Sequence, residues 1–183
     1  MRREPVWQPQ SRVRPRTVPA SLWHWLVDTA SLTQRIVYYC DQGFRVQVIN
    51  QKWQRPMRNE ARLLQLKQGN HALVRQVYLY CGDTPWVYAR TILPPDTLTG
   101  PQRRLANLKS RSLGAMLFAD PSMQRDEVQI ACLTAQDKLF NLATRASEAA
   151  PEVIWGRRSV FRLSNKPLLV TEIFLPPVQK CPL

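Results

Sequence analysis

Acidic residues are scarce in this chain: 13 Asp and Glu stand against 26 Lys and Arg, giving a formal charge of +13 and a sequence pI near 10.4. Such a field attracts anions of any kind. Histidine is nearly absent as well, and neither His24, between Trp23 and Trp25, nor His71, after a Gly-Asn turn, stands beside an obvious nucleophile or ligand set. Cys40, Cys81, Cys132 and Cys181 occur singly. Without C-x-x-C or paired His spacing they do not form a zinc pattern. The N-terminus has no apolar stretch followed by a small-residue cleavage site, so a cytoplasmic location is expected, with all four cysteines as free thiols. No apolar run approaches the roughly 18 residues that a membrane-spanning helix needs.

Nucleic acid is the first partner that a basic chain suggests, yet no RNP signature, zinc-finger spacing or basic zipper accompanies the charge. Five of the cations, Arg2, Arg3, Arg12, Arg14 and Arg16, lie in a proline-rich start with Pro5, Pro9, Pro15 and Pro19. Residues 1–19 are therefore expected to form a mobile basic arm, and 20–183 a single domain with its own core. The remaining excess suits solubility, anionic lipid heads or the steering of a small anionic substrate.

Hydrophobic spacing predicts a short helix over Ser21–Asp28, capped by Ser21, and a second one from Ser31-Leu32-Thr33-Gln34, whose S-x-x-Q form is that of a capping box. The apolar second helix, with Arg35 as its only cation, does not read as a DNA-recognition helix. Phe44–Trp53 reads as a strand, and Ala72–Tyr80 with Trp86–Leu93 as a hairpin through Gly82 and Asp83. A further helical pair is expected over Gly100–Leu108 and from Ser112 to Phe118, where helix N-terminal amides could meet an anion. A strand over Gln124–Cys132, a helix over Thr134–Ala150 and a hairpin from Trp155 to Leu175 complete the chain. The expected fold is thus α+β, with one antiparallel sheet of about six strands and helical hairpins beside it.

The most informative residue is Glu172, a carboxylate within the apolar strand Leu168–Leu175. Alternation puts it on one face with Leu168, Val170 and Phe174. A carboxylate there requires a cationic or hydrogen-bonding partner. Alternation likewise sets Arg75 among Leu73, Val77 and Leu79, and the two charges together point to an internal polar site. Arg90, sharing a face with Trp86, Tyr88 and Ile92, is a further candidate cation for the same interior. Stacking at a sheet surface explains Arg90 equally well.

Four segments in order carry a family resemblance: R-Q-V-Y-L-Y-C-G-D-T-P-W-V-Y-A-R-T-I-L-P, T-L-T-G-P, S-L-G-A-M-L-F and W-G-R-R-S-V-F-R-L-S-N-K-P-L-L-V-T-E-I-F-L-P. From about Ser21 to Pro176 the chain resembles the bacterial chorismate lyases. The resemblance implies a monomeric antiparallel sheet whose helix-turn-helix flaps cover a buried site, and cofactor-free conversion of chorismate to 4-hydroxybenzoate and pyruvate, at the entry to ubiquinone biosynthesis. It implies Arg75 and Glu172 as ligand-contacting side chains, and backbone contacts from Leu32 and Leu113, one on each flap. The N-terminal arm, the segment around Thr134–Pro151 and Ala89 depart from the family pattern. The competing expectation is a non-catalytic effector module of the same fold that binds a small carboxylate.

Overall fold

The computed structural model describes residues 3–67, 69–147 and 151–181. Strand β1 (Gln8–Pro9) precedes helices α1 (Ala20–Val27) and α2 (Leu32–Tyr39), strand β2 (Phe44–Gln54), helix α3 (Arg58–Leu63), and the hairpin β3 (Ala72–Cys81) and β4 (Thr84–Leu93). A 3-10 segment, Gly100–Asn107, leads to α4 (Leu113–Phe118). After it come β5 (Gln124–Arg125), β6 (Gln129–Thr134), α5 (Lys138–Ala143) and the hairpin β7 (Val153–Leu163) and β8 (Lys166–Phe174).

The strands form one eight-stranded antiparallel sheet, ordered β1-β6-β7-β8-β4-β3-β2 with β5 also on β7. The expected α+β class and single antiparallel sheet are present. The strand count exceeds the expected six because the Gln124–Cys132 segment divides into β5 and β6, and Gln8–Pro9 adds β1.

Strand β3 is buried along its whole length because the sheet is covered on both faces. On one face Val77 and Leu79 pack with Leu22, Trp25 and Leu26 of α1 and Ile36 of α2. Further along that face, Leu73, Phe161 and Val170 pack with Leu105, Leu113 and Leu117, from the 3-10 segment and α4. The opposite face carries Tyr78, Tyr88 and Ile173 against Leu139 and Phe140 of α5, with Val74, Ile92 and Leu169 near Leu64. Each fully buried aliphatic side chain contributes about 1.5–3 kcal/mol, so alternation along β3 specifies both layers at once.

Local signals explain most helix starts. Ser31 Oγ accepts from the Gln34 amide at 3.4 Å and Ser112 Oγ from the Ala115 amide at 3.2 Å, as N-caps do. Ser21, expected as a cap, instead lies inside α1, which starts after Pro19. Gly100–Asn107 is 3-10 rather than α-helical, and the helix expected over Thr134–Ala150 is the shorter α5, with residues 148–150 outside those described. Helix α3 was not expected. Its signal is Glu60, whose Oε2 accepts from the Met57 amide at 2.8 Å and so satisfies an orphan donor at the helix start.

The expectation of free thiols at all four cysteines fails for one pair. Cys40, at the end of α2, and Cys81, at the end of β3, form a disulfide with their Cα atoms 5.5 Å apart. They are 41 residues apart in sequence and meet because β2 pairs with β3, which sets Phe44, four residues after Cys40, opposite Cys81. Cys132 and Cys181 are free.

Residues 3–19 cross one edge of the sheet, with Trp7 packed against the Tyr78 and Ile173 cluster and Val18 buried with Leu22 and Trp25 on the other face. β1 pairs with β6, Arg3 bonds Asp137 at 3.0 Å, and the Glu4 carboxylate accepts the Arg58 and Asn59 amides at 2.8 and 2.9 Å. The Arg158 guanidinium stacks 4.7 Å from the Trp7 ring.

Candidate active site

A narrow cavity lies between the sheet and its two helical covers. Arg75 on β3, Ala89 and Thr91 on β4, and Glu172 on β8 line its sheet side. Leu32 on α2 and Leu113 on α4 line the cover side. Arg75, Glu172, Leu32 and Leu113, four of the five residues singled out in the sequence, therefore share one cavity.

Arg75 is 2% exposed, and burial lowers its pKa below the ordinary arginine value. Its Nη2 donates to the carbonyls of Lys109 and Arg111, at 2.9 and 3.2 Å, anchoring the turn that leads into α4. Its Nε is buried without a hydrogen-bond partner. A cation in the cavity wall with an unsatisfied donor is suited to a ligand's acceptor.

Glu172 does not pair with Arg75. Its Oε2 accepts instead from Arg157 Nε at 2.5 Å, an ion pair in which Arg157 is 2% and Glu172 17% exposed at the side chain. Arg157 also donates through Nη1 to the carbonyls of Trp25 and Asp28, at 2.7 and 2.6 Å. The carboxylate is thus fixed by a guanidinium that is itself tied to the end of α1. Glu172 Oε1 has no hydrogen bond among the described residues, and the residue lines the cavity.

Arg157 was missed in the sequence although W-G-R-R displays it. Alternation puts it on the Glu172 face, and register sets it directly opposite Glu172, but register is not readable before the hairpin is aligned. The preceding Gly156 permits the close β7–β8 approach: a Cβ there would run into the Ile173 side chain and lie 3.1 Å from the Glu172 carbonyl. Arg125 on β5 was also missed. It lines the cavity, with Nε donating to Ser159 Oγ at 3.1 Å and Nη1 to the Asp28 and Thr29 carbonyls at 3.3 and 3.2 Å.

Arg90 lies outside this cavity. It sits on the other face of the sheet, where Nε and Nη2 grip both oxygens of buried Glu60 at 2.7 and 3.0 Å. The cavity face of β4 carries Ala89 and Thr91, so alternation turns Arg90 away. Its partner Glu60 could not be anticipated without α3.

The two covers touch over the cavity. Thr33 Oγ1 in α2 and Ser112 Oγ at the start of α4 form a hydrogen bond of 2.6 Å. Leu32 and Leu113 are the first residues of their helices, so their amides have no intrahelical acceptor.

An antiparallel sheet with helical covers over an internal cavity defines an α+β ligand-pocket architecture. Among solved structures it resembles a GntR-family transcriptional regulator from Bacillus cereus, with a TM-score of 0.53, 12% identity, and coverage of 73% of this chain and 92% of that one. A GntR-family regulator from Enterococcus faecalis gives 0.52 and 12%, over 73% of this chain and 91% of that one. At such identities the likeness is one of fold alone. In sequence, the model of the family described as chorismate lyase matches residues 1–180. Proteins named "Probable chorismate pyruvate-lyase" from Methylococcus capsulatus and Aromatoleum aromaticum are 41% and 42% identical, covering 86% and 92% of this chain and 96% and 91% of their own lengths. The chain belongs to the chorismate lyase family.

Proposed function

We propose that this protein converts chorismate to 4-hydroxybenzoate and pyruvate, supplying the aromatic ring for ubiquinone. The observation that carries this reading is the convergence, in a cavity of a chorismate lyase family member, of an arginine with an unpartnered donor and a glutamate with a free oxygen. Arg75 orients a substrate carboxylate, through a charge-assisted bond from Nε. Glu172 accepts the ring hydroxyl. The amides of Leu32 and Leu113 add neutral donors from the covers.

The reaction needs one ring C–H bond and one ring C–O bond to break. The proton leaves the hydroxyl-bearing carbon, its electron pair completes the aromatic ring, and the neighbouring ether bond breaks to release enolpyruvate. A proton on the enolpyruvate methylene then gives pyruvate. Glu172 either carries that proton as a base, or fixes the ring while the enolpyruvyl group takes the proton itself. In both cases Arg157 holds the carboxylate in place. Because Arg75 anchors the lead-in to α4 and Arg157 the end of α1, groups on the cavity floor also hold the covers that exclude water.

We further propose that the protein works as a cytoplasmic monomer. No described helix is long and apolar enough to cross a membrane, and every group in this mechanism comes from one chain. The test of the function is incubation of purified protein with chorismate and chromatographic measurement of products. Equal amounts of 4-hydroxybenzoate and pyruvate are expected. Tight binding of 4-hydroxybenzoate without turnover would favour the effector-module reading.

A further inference from the structure

Three guanidiniums, Arg75, Arg125 and Arg157, and one carboxylate, Glu172, line the cavity. The carboxylate is taken by Arg157. Arg75 and Arg125 are held only by neutral acceptors: main-chain carbonyls for both, and the Ser159 hydroxyl for Arg125. Asp28, the acid beside the Arg125 contacts, accepts from Arg35 Nη1 through Oδ2 at 2.7 Å and from the Ala30 amide through Oδ1 at 2.8 Å. Two cationic side chains thus face one cavity without a salt-bridge partner of their own among the described residues, Glu172 and Asp28 lying near Arg125 but bonded elsewhere. Burial depresses the pKa of each, and in Arg125 neighbouring Arg157 adds to this while Glu172 and Asp28 oppose it. Holding a desolvated charge beside neutral groups is costly unless an anion arrives.

Sheet register gives the two charges an order. Arg75 is opposite Thr91, Thr91 opposite Val170, and Val170 opposite Ser159, the residue on which the Arg125 guanidinium rests. Three strand steps separate the backbones of Arg75 and Ser159 by roughly 14 Å, since neighbouring strands lie about 4.8 Å apart. Both side chains rise from these positions to line the same cavity, Arg75 beneath the lead-in to α4 and Arg125 beneath the α1–α2 turn. Glu172 on β8 stands between them. The order is cation, carboxylate, cation.

We infer that Arg125 is a further substrate-binding residue, which receives the second carboxylate of a dianionic substrate, the one on the enolpyruvyl ether, while Arg75 holds the ring carboxylate. The inference rests on the proposed function for the identity of the dianion, and on the cavity alone for the preference for two carboxylates. Arg125 then does two things. It selects a doubly charged substrate over a singly charged product, and, because Nη1 holds the Asp28 and Thr29 carbonyls, it couples that second carboxylate to the α1–α2 turn.

The test compares two ligands by calorimetry. One is 4-hydroxybenzoate, with a single carboxylate. The other is 3-(carboxymethoxy)-4-hydroxybenzoate, which adds an ether-linked carboxylate next to the ring hydroxyl. Arg125→Ala should weaken the dicarboxylate by about 10- to 100-fold, the range for a lost charge-assisted bond, while 4-hydroxybenzoate changes by less than about 3-fold. Arg125→Gln keeps a donor for the turn carbonyls without the charge, should give the same loss, and serves if the alanine variant does not fold. Equal weakening of both ligands would mean that Arg125 only supports the turn, and an unchanged dicarboxylate affinity would remove it from the site. Either outcome overturns the inference. Wild-type turnover of chorismate, measured separately, decides the proposed reaction, so each can fail while the other stands.

Discussion

The Arg157 guanidinium joins the Glu172 carboxylate, at 2.5 Å, to the carbonyls of Trp25 and Asp28 at the end of α1. One side chain therefore fixes the candidate catalytic group and the cover above it. Arg157→Ala should cost about 3 kcal/mol of stability, as removal of one partner from a buried pair does. Arg157→Lys keeps the charge but not the geometry that serves three acceptors. It should lower kcat more than it raises KM, and steady-state kinetics on a folded Arg157→Lys variant checks this. A changed KM with wild-type kcat would confine Arg157 to holding the cover.

Arg75→Ala has a different expected signature. Its fixed partners are the carbonyls of Lys109 and Arg111, so the fold should lose only about 1–2 kcal/mol. Glu172 keeps Arg157 as its partner and is not left unpaired. Binding of 4-hydroxybenzoate should weaken by about 10-fold or more, the loss of a charge-assisted bond. Unchanged affinity by calorimetry would take Arg75 out of the ligand site.

Thr33 and Ser112 close the covers over the cavity with one hydroxyl–hydroxyl bond. Thr33→Val preserves shape and removes that bond, worth about 1 kcal/mol, so release of 4-hydroxybenzoate should quicken by roughly 5-fold. Stopped-flow displacement of bound 4-hydroxybenzoate reads it directly. An unchanged release rate would show that the covers part elsewhere.

Truncation of residues 1–19 separates two expectations. A mobile arm would leave the melting temperature unchanged. The contacts made by Arg3, Glu4 and Trp7 predict a fall of at least about 4 °C, since a domain of this size shifts by roughly 2–4 °C per kcal/mol. No described residue of the segment lines the cavity, so saturated turnover of the folded remainder should stay close to that of the full chain.

Alternation along β3 and β8 was enough to set Arg75 and Glu172 among apolar neighbours on their strands, and capping patterns at Ser31 and Ser112 located both covers. Pairing was another matter. Which cation meets Glu172 depends on the β7–β8 register, and a one-residue slip would have offered Arg158 instead of Arg157. Arg90 misled because an arginine on an apolar strand looks the same whichever face it takes, and only α3 supplies its Glu60 partner. The Cys40–Cys81 bond depends on the β2–β3 register, which brings the residue four beyond Cys40 opposite Cys81, and cysteine spacing alone does not encode that pairing.

The most direct test of the account is a single-turnover measurement with chorismate, comparing wild type with Glu172→Gln, which keeps the shape of the side chain and deletes its charge and basicity. The account predicts 4-hydroxybenzoate and pyruvate in equal amounts from wild type. From a folded variant that still binds 4-hydroxybenzoate, it predicts formation slower by about 100-fold or more, the scale of acid–base and electrostatic contributions. Equal rates in the two proteins would contradict it.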